Sequence, residues 1–336
     1  MAGHDVWDGD GFTLESLTAA VNKEPYRPGQ VSALGLFEED SVTTTVVSLE
    51  ERDGKLSLVE PTERGGPGET TGDDDRRRIP FEVDHYQRDD FVKADSVQNV
   101  RAFGEEDVLE TLQERIERRA MGHAQDLTMT LEHQRVGAIK GIVTSKSGKT
   151  LHDLYSRFGI AVPAAVSLEL DVDTTKVGSL WQDVVYGLED DLDEPYSGIH
   201  VLTGRDFHRS LWTHKSVQET FLYHNGAAVL RQDVPDVFEF GGATWERYRT
   251  GAKATANLGA PYIGATEARV VPKGVRELFI TRFAPADYEE TVNTPGLPFY
   301  AKQYPSRNGK GRHLEVQSNP ISLCTRPGIL RKLTLT

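Results

Sequence analysis

The chain has 336 residues, with 38 basic and 52 acidic side chains, a formal net charge of −14 and 38% hydrophobic residues. No apolar run reaches the ~20 residues of a membrane helix, and a single cysteine, Cys324, excludes an internal disulfide framework or a cysteine-rich zinc site. The acidic balance argues against a sequence-independent grip on nucleic-acid phosphates, and the start, MAGHDVWDGDGFTLE, is acidic where an export signal is basic and then apolar. The length suggests two domains, or one with a large insertion. The charge is uneven: net −12 over residues 1–100, zero over 101–160, −8 over 161–300 and +6 over the last 36. Acidic and basic segments are therefore expected to meet, within one subunit or between subunits.

In chain order, Phe12, Leu14, Leu17 and Ala20 predict a short helix that starts near Asp10 or Thr13. Pro25 and Pro28 forbid its continuation, so residues 1–40 read as an arm lying on another surface. Residues 42–51 and 55–59 alternate with period two around Arg52-Asp53-Gly54, the pattern of a hairpin. Residues 61–78 are poor in apolar side chains and rich in glycine and charge, and a strand-like return follows at Ile79 to Val83. Residues 42–90 therefore predict a long two-stranded projection with a polar tip. Two strands alone are marginal in water, so the projection is expected to rest on a neighbour.

The strongest periodicity lies in 105–140, where Val108, Leu112, Ile116, Ala120, Ala124, Leu127 and Leu131 recur every three or four residues. Glu105, Glu106 and Asp107 sit where the helix dipole favours anions, and the helix would run ~50 Å. It reads as the spine of an elongated subunit. A hairpin is predicted around Lys146-Ser147-Gly148-Lys149, helices over 180–192 and 207–222, and strands 237–240 and 244–248 joined by Gly241-Gly242. Further strands are predicted at 269–271, 277–281, 314–317 and 329–335.

No segment carries a convincing active site. Ser147-Gly148-Lys149-Thr150 ends like a phosphate-binding loop, but the first glycine that motif needs is Val143 here, and the segment follows a helix. His208 and His214 are six residues apart with no acidic partner to complete a zinc site. Cys324 sits in an apolar strand context, as a buried structural thiol does. Glu189-Asp190-Asp191-Leu192-Asp193-Glu194 lacks the ligand spacing of a calcium loop and reads as a solvated helix end.

Several strings nevertheless point to a family. APADYEETVNTPGLPFYAK (284–302), QSNPISLCTRP (317–327), LTAAVNKEPYRPG (17–29), LGLFEEDSVTTT (34–45), VQNVRAFGEEDVLE (97–110) and EHQRVGAIKGIV (132–143) resemble the lambda-type major capsid proteins of tailed bacteriophages, the phage capsid protein E family. The resemblance implies an α+β chain with the Hong Kong 97-type capsid fold. It divides the sequence into an N-terminal arm (1–41), an extended loop (42–96), a peripheral domain (97–159) with its spine helix at 105–140, an axial domain (160–297), and C-terminal strands returning to the peripheral domain (298–336).

The resemblance further implies a non-enzymatic protein that self-assembles, as pentamers and hexamers, into the icosahedral shell around phage DNA. No catalytic residue, cofactor or metal is expected. Decoration, scaffold and portal proteins are the implied partners, with DNA contacted non-specifically at most and no membrane. The setting is the virion, after assembly in the bacterial cytoplasm. The expected subunit interface is the charged tip Asp73, Asp74, Asp75, Arg76, Arg77 and Arg78. Two alternatives stay open at this point: a nucleotide-binding enzyme built on 147–150, and a phage tail or decoration protein.

Overall fold

The structure, a computed structural model, describes residues 13–23, 29–52, 76–97, 112–192, 194–225, 234–250 and 260–336. Helix α1 (Leu14–Lys23) begins where Thr13 Oγ1 accepts the Ser16 N–H at 3.2 Å, a side-chain cap on the first turn. A short helix α2 (Gln30–Ala33) and strand β1 (Phe37–Ser41) complete the arm. Next come β2 (Val46–Arg52), β3 (Arg76–Glu82), β4 (Tyr86–Lys93) and the spine α3 (Leu112–Lys140). The spine has 29 residues in the described part, ~43 Å long, and the expected start at 105–111 lies outside the described residues.

The expected hairpin, β5 (Ile142–Thr144) and β6 (Thr150–Asp153), leads into α4 (Leu154–Phe158). Asp153 ends the strand by capping the helix, its carboxylate accepting the Ser156 N–H at 3.1 Å. There follow β7 (Val166–Ser167), α5 (Val177–Leu192), β8 (Gly198–Thr203), α6 (Arg205–Thr213), α7 (Lys215–Asn225), β9 (Val237–Phe240) and β10 (Ala243–Arg247). The single helix expected over 207–222 is broken at His214, whose backbone is extended (ψ 133°) and whose Nδ1 accepts the Ser216 N–H at 3.3 Å. The chain closes with β11 (Glu267–Lys273), β12 (Phe279–Phe283), β13 (Tyr300–Pro305), β14 (Gly311–Ser318), β15 (Pro320–Cys324) and β16 (Arg331–Thr334).

Three larger sheets organise these strands: β7-β16-β11-β8-β10-β9, β1-β12-β15 and β13-β14-β4. The first is covered by α5 and α6, whose Trp181 and Phe207 meet Trp245 of β10. The β9–β10 turn is made by Gly241 and Gly242 at φ 60° and 77°, the left-handed pair a two-residue hairpin loop demands. The C-terminal segment divides: β13 and β14 join β4, whereas β16 lies between β7 and β11 in the six-stranded sheet. Residues 298–336 thus serve two places.

The spine belongs to two apolar cores. Ile116, Ala120, Ala124 and Leu127 pack with Leu17 and Val21 of α1 and with Val92, Leu314 and Val316 of the β13-β14-β4 sheet. Val136, Ala138 and Ile139 enter the larger core with β12, β15 and the six-stranded sheet. The arm therefore buries its described residues on its own subunit, contrary to the expectation that it gains a core only through another surface. Leu17 and Val21 are the reason, since a helix of this length holds only when its apolar stripe is covered.

Strand β2 pairs with β3, the expected strand-like return, in a register running from Val46↔Glu82 to Arg52↔Arg76, and the expected partner 55–59 lies outside the described residues. The pairing sets Val47 opposite Phe81 and Leu49 opposite Ile79, placing one apolar face on the subunit body. Residues 53–75 lie outside the described residues.

Candidate assembly site

Two extensions leave the body of the subunit, and a polar side chain holds each at its base. Glu132, buried on the spine, is the first. Its Oε1 accepts the Val31 N–H at 2.8 Å and the Tyr248 hydroxyl at 2.9 Å, while its Oε2 accepts the Ser32 N–H at 3.1 Å and the Ser32 hydroxyl at 2.7 Å. The carboxylate thereby fixes α2 against both the spine and the six-stranded sheet. A Cβ on Gly29 would lie 2.1 Å from the Glu132 Cδ, so glycine is required for this approach. One turn on, Arg135 binds Ser32 Oγ at 2.8 Å and Glu39. Gln30 reaches Glu246 Oε1 at 2.6 Å, and Glu246 Oε2 meets His200 Nε2 at 2.9 Å.

The projection is anchored by Phe81, which lies 6.3 Å from the Phe158 ring and carries the Arg157 guanidinium 5.9 Å from its own ring centre. Its direction is set by Asp84, in the β3–β4 turn. The Asp84 carboxylate accepts the Gln134 side-chain N–H at 2.8 Å and lies 3.1 Å from His152 Nε2. The spine and β6 therefore grip the point where the projection leaves the body.

Of the charged tip, Asp73, Asp74 and Asp75 lie outside the described residues, and Arg76, Arg77 and Arg78 open β3. In the ladder Glu50 stands opposite Arg78 and Glu51 opposite Arg77. Opposite charges at facing positions favour the pairing by a few tenths of a kcal/mol, roughly, up to ~1.

The basic C-terminus is likewise engaged within the subunit. Arg326 meets Glu194 at 3.0 Å, Arg331 meets Asp191, Lys332 meets Glu267 at 3.1 Å and Lys302 meets Glu290 at 2.9 Å. These partners all come from the acidic stretch 161–300. Four of the seven basic side chains in the last 36 residues thus pair inside one chain, and Asp191 and Glu194 dock β16 and its approach.

Glu267 is the hub of that arrangement, with Arg269 at 3.3 Å and Lys140 at 3.5 Å besides Lys332. Burial works to raise its pKa, but the Gly264 N–H and these three cations outweigh burial and hold it down at about 2, from an ordinary 4.5. A carboxyl depressed on folding stabilises the fold above its unfolded value and loses that contribution as pH falls through the folded one. Its share, on the order of 3 kcal/mol, is therefore expected to be complete above about pH 4.5 and to fade toward pH 2. Urea midpoints measured from pH 7 to pH 3 should fall more steeply for the native chain than for Glu267→Gln. Parallel curves would contradict this assignment.

The remaining chemical candidates have structural roles. Ser147, Gly148 and Lys149 form the exposed β5–β6 turn, closed by Ser145 N–H to Lys149 carbonyl at 2.8 Å, and lead into a strand rather than a helix. His208 is buried between Thr203 Oγ1 at 2.8 Å and the Pro235 carbonyl at 2.7 Å. His214 contacts the Val172 carbonyl at 3.1 Å. Burial pushes the Cys324 thiol up to about 12. Among the described residues no group of three His, Cys, Asp or Glu side chains is placed to hold a metal, and no helix is long and apolar enough to cross a membrane.

An arm and a paired projection, a two-core spine and a separate six-stranded sheet define the Hong Kong 97-type capsid fold. The overall backbone is similar to a protein of an E. coli CFT073 prophage described as a capsid protein, with 11% identity, TM-score 0.57, and coverage of 97% of this chain and 99% of that one. It is also similar to the capsid of a native GTA particle, with 11% identity, TM-score 0.55, and coverage of 91% and 90%. The model of the phage major capsid protein E family matches residues 13–335, and the chain belongs to that family. A major capsid protein of Pseudomonas phage KPP10 is 29% identical over 344 residues, covering 96% of this chain and 97% of the relative. The chain is a structural, shell-forming protein and not an enzyme, and neither the nucleotide-binding nor the tail-protein alternative finds support.

Proposed function

We propose that this chain closes, as pentamers and hexamers, into the icosahedral head shell around packaged double-stranded DNA, with assembly in the cytoplasm of the bacterial host. The observation that carries this reading is a full-length family match on a subunit whose two extensions are gripped at their bases, by Glu132 and by Asp84. Anchoring the bases lets the outer parts reach neighbours while the body keeps its shape. The six-stranded sheet with α5 to α7 is the natural axial body. The spine with β4, β13 and β14 is the peripheral one, and β16 ties the C-terminus to the former. Residues 1–41 and 42–96 act as arm and extended loop. Decoration, scaffold and portal proteins are the partners that a shell of this family takes, and the acidic surface limits DNA to non-specific, counterion-mediated contact. Sedimentation of the purified protein tests the reading. Capsomers or shells are expected, and a persistent monomer over the accessible concentration range would contradict it.

The interface bet stays with the tip. Replacing Arg76, Arg77 and Arg78 together by glutamate is expected to lower the urea concentration at which shells dissociate. Because Glu50 and Glu51 oppose two of these arginines, Glu50→Arg with Glu51→Arg is the control. Full rescue by those changes would assign the arginines to their own ladder, and unchanged shells in the triple variant would remove them from the interface altogether.

A further inference from the structure

The outward face of the β13-β14-β4 sheet gathers oxygen atoms that lack a matching cation. Alternation sends Val92, Leu314 and Val316 to the core, so Lys302, Glu315 and Asp89 form one outward rung and Tyr300, Gln317 and Gln87 the next. Glu315 and Asp89 stand directly opposite each other, a like-charge pair that destabilises a ladder. Residues 286–290 lie against this face, with Asp287 accepting the Gln317 amide at 2.7 Å and Tyr288 packed with Tyr300.

Among the described residues the donors to these carboxylates are neutral. Asp89 accepts from the Gln87 amide at 2.6 Å and Glu315 from the Tyr304 hydroxyl at 2.7 Å. Lys302, beside Glu315 in the rung, turns its ammonium to both oxygens of Glu290 at 2.9 Å and over the Tyr288 ring. Two buried oxygens are left over as well. Gln317, 1% exposed, commits its amide nitrogen to Asp287 and Gln87, and its Oε1 has no hydrogen-bond partner. Tyr288, 7% exposed, has a hydroxyl with no partner either. Its pKa is raised by burial and then by Glu315, Asp287 and Asp89, so that hydroxyl sits among the three carboxylates.

Carboxylate, amide carbonyl and hydroxyl oxygens are the ligands of a hard cation. Calcium accepts six to eight of them in flexible geometry and keeps some waters, whereas magnesium demands a near-ideal octahedron. Asp89 is exposed, so an ion can enter from solvent. We propose that Asp89 and Glu315, with the Gln317 carbonyl and the Tyr288 hydroxyl, bind a calcium ion on this sheet face, with water completing its shell. Two acidic ligands and two neutral ones make a weak site, with a dissociation constant on the order of 0.1–1 mM. The ion cancels the repulsion between β4 and β14 and pins residues 286–290 to the sheet.

The full-length protein is tested with calcium and with terbium(III), a luminescent stand-in for calcium that nearby tyrosines sensitise. Tyrosine excitation should give terbium emission that calcium displaces, and Asp89→Asn with Glu315→Gln should weaken terbium binding at least tenfold. Calcium at ten times its dissociation constant should raise the folding equilibrium of the native chain about tenfold. The double variant loses the like-charge pair, so in EDTA it should unfold at the same or a higher urea concentration than the native chain. It should then ignore calcium. A calcium response that the double variant keeps would place the ion elsewhere. An equal response to magnesium would reduce the effect to screening, and a native chain indifferent to calcium would show that this face holds no ion.

Discussion

Glu132→Ala is expected to cost ~3 kcal/mol or more of subunit stability and to release the arm. The carboxylate accepts four hydrogen bonds while itself buried. Truncation leaves the Val31 and Ser32 N–H groups and the Tyr248 hydroxyl without their acceptor, at ~1–3 kcal/mol for each group that stays dry. The loss should be local first, because α2 has four residues and no other side-chain cap. Amide exchange over residues 29–34 is expected to accelerate before the global urea midpoint shifts. Glu132→Gln, which keeps one acceptor oxygen, should lose less than alanine. Equal exchange in native and alanine chains would show that the arm is held by Val31 and Phe37 packing alone.

Trp245→Ala should be the more damaging change, at ~3–5 kcal/mol. Trp245 is fully buried, with its ring 4.8 Å from Trp181 and its Nε1–H donated to the Phe240 carbonyl at 3.0 Å. Trp181 donates in the same way to the Gly241 carbonyl at 2.8 Å, so the two indoles hold the β9–β10 turn from below. Alanine empties the space between α5, α6 and the sheet and removes the indole hydrogen bond to the Phe240 carbonyl. Because β8, β11 and β16 share that sheet, the damage should reach the C-terminus and no shells should form at 37 °C. Calorimetry of the subunit and sedimentation of the assembly product check the two halves. Trp245→Phe, which keeps most of the ring volume, should retain shells.

What the sequence discloses depends on whether the deciding interaction is local. The spine is legible because Ile116, Ala120, Ala124, Leu127 and Leu131 mark one buried stripe, and all five are buried. Periodicity marks the stripe but not its partner, so the division of that helix between two cores is invisible in it. The β9–β10 hairpin is legible from Gly241-Gly242, whose backbone demand is local. The return of the projection at Ile79 to Val83 is legible as a strand, but its register on β2 is set by Val47 with Phe81 and Leu49 with Ile79, positions too far apart in sequence for a local turn to fix. Strand β13 is not singled out although Asn308-Gly309, with Gly309 at φ 65°, marks its turn into β14, and β15 is buried at every position, which removes the alternation that marks a strand.

The functional residues were harder still to see. Glu132 in mid-helix looks like an ordinary solvent-facing acid, and only the tertiary fold brings it three donors from the arm and a fourth from Tyr248. The run 189–194 reads as a solvated helix end until β16 delivers Arg331 beside Asp191, and the Arg326 ahead of that strand reaches Glu194. Net charge by segment does detect that acidic and basic stretches must meet. It does not say that they meet within one subunit.

Closure of copies of this chain into a shell with five-fold and six-fold capsomers is what the proposed function requires. Cryo-electron microscopy of the purified protein tests that most directly. Closed shells with five-fold and six-fold capsomers, each subunit extending its β2–β3 ladder over a neighbour, are the expected result. Tubes, isolated trimers or a persistent monomer would contradict it.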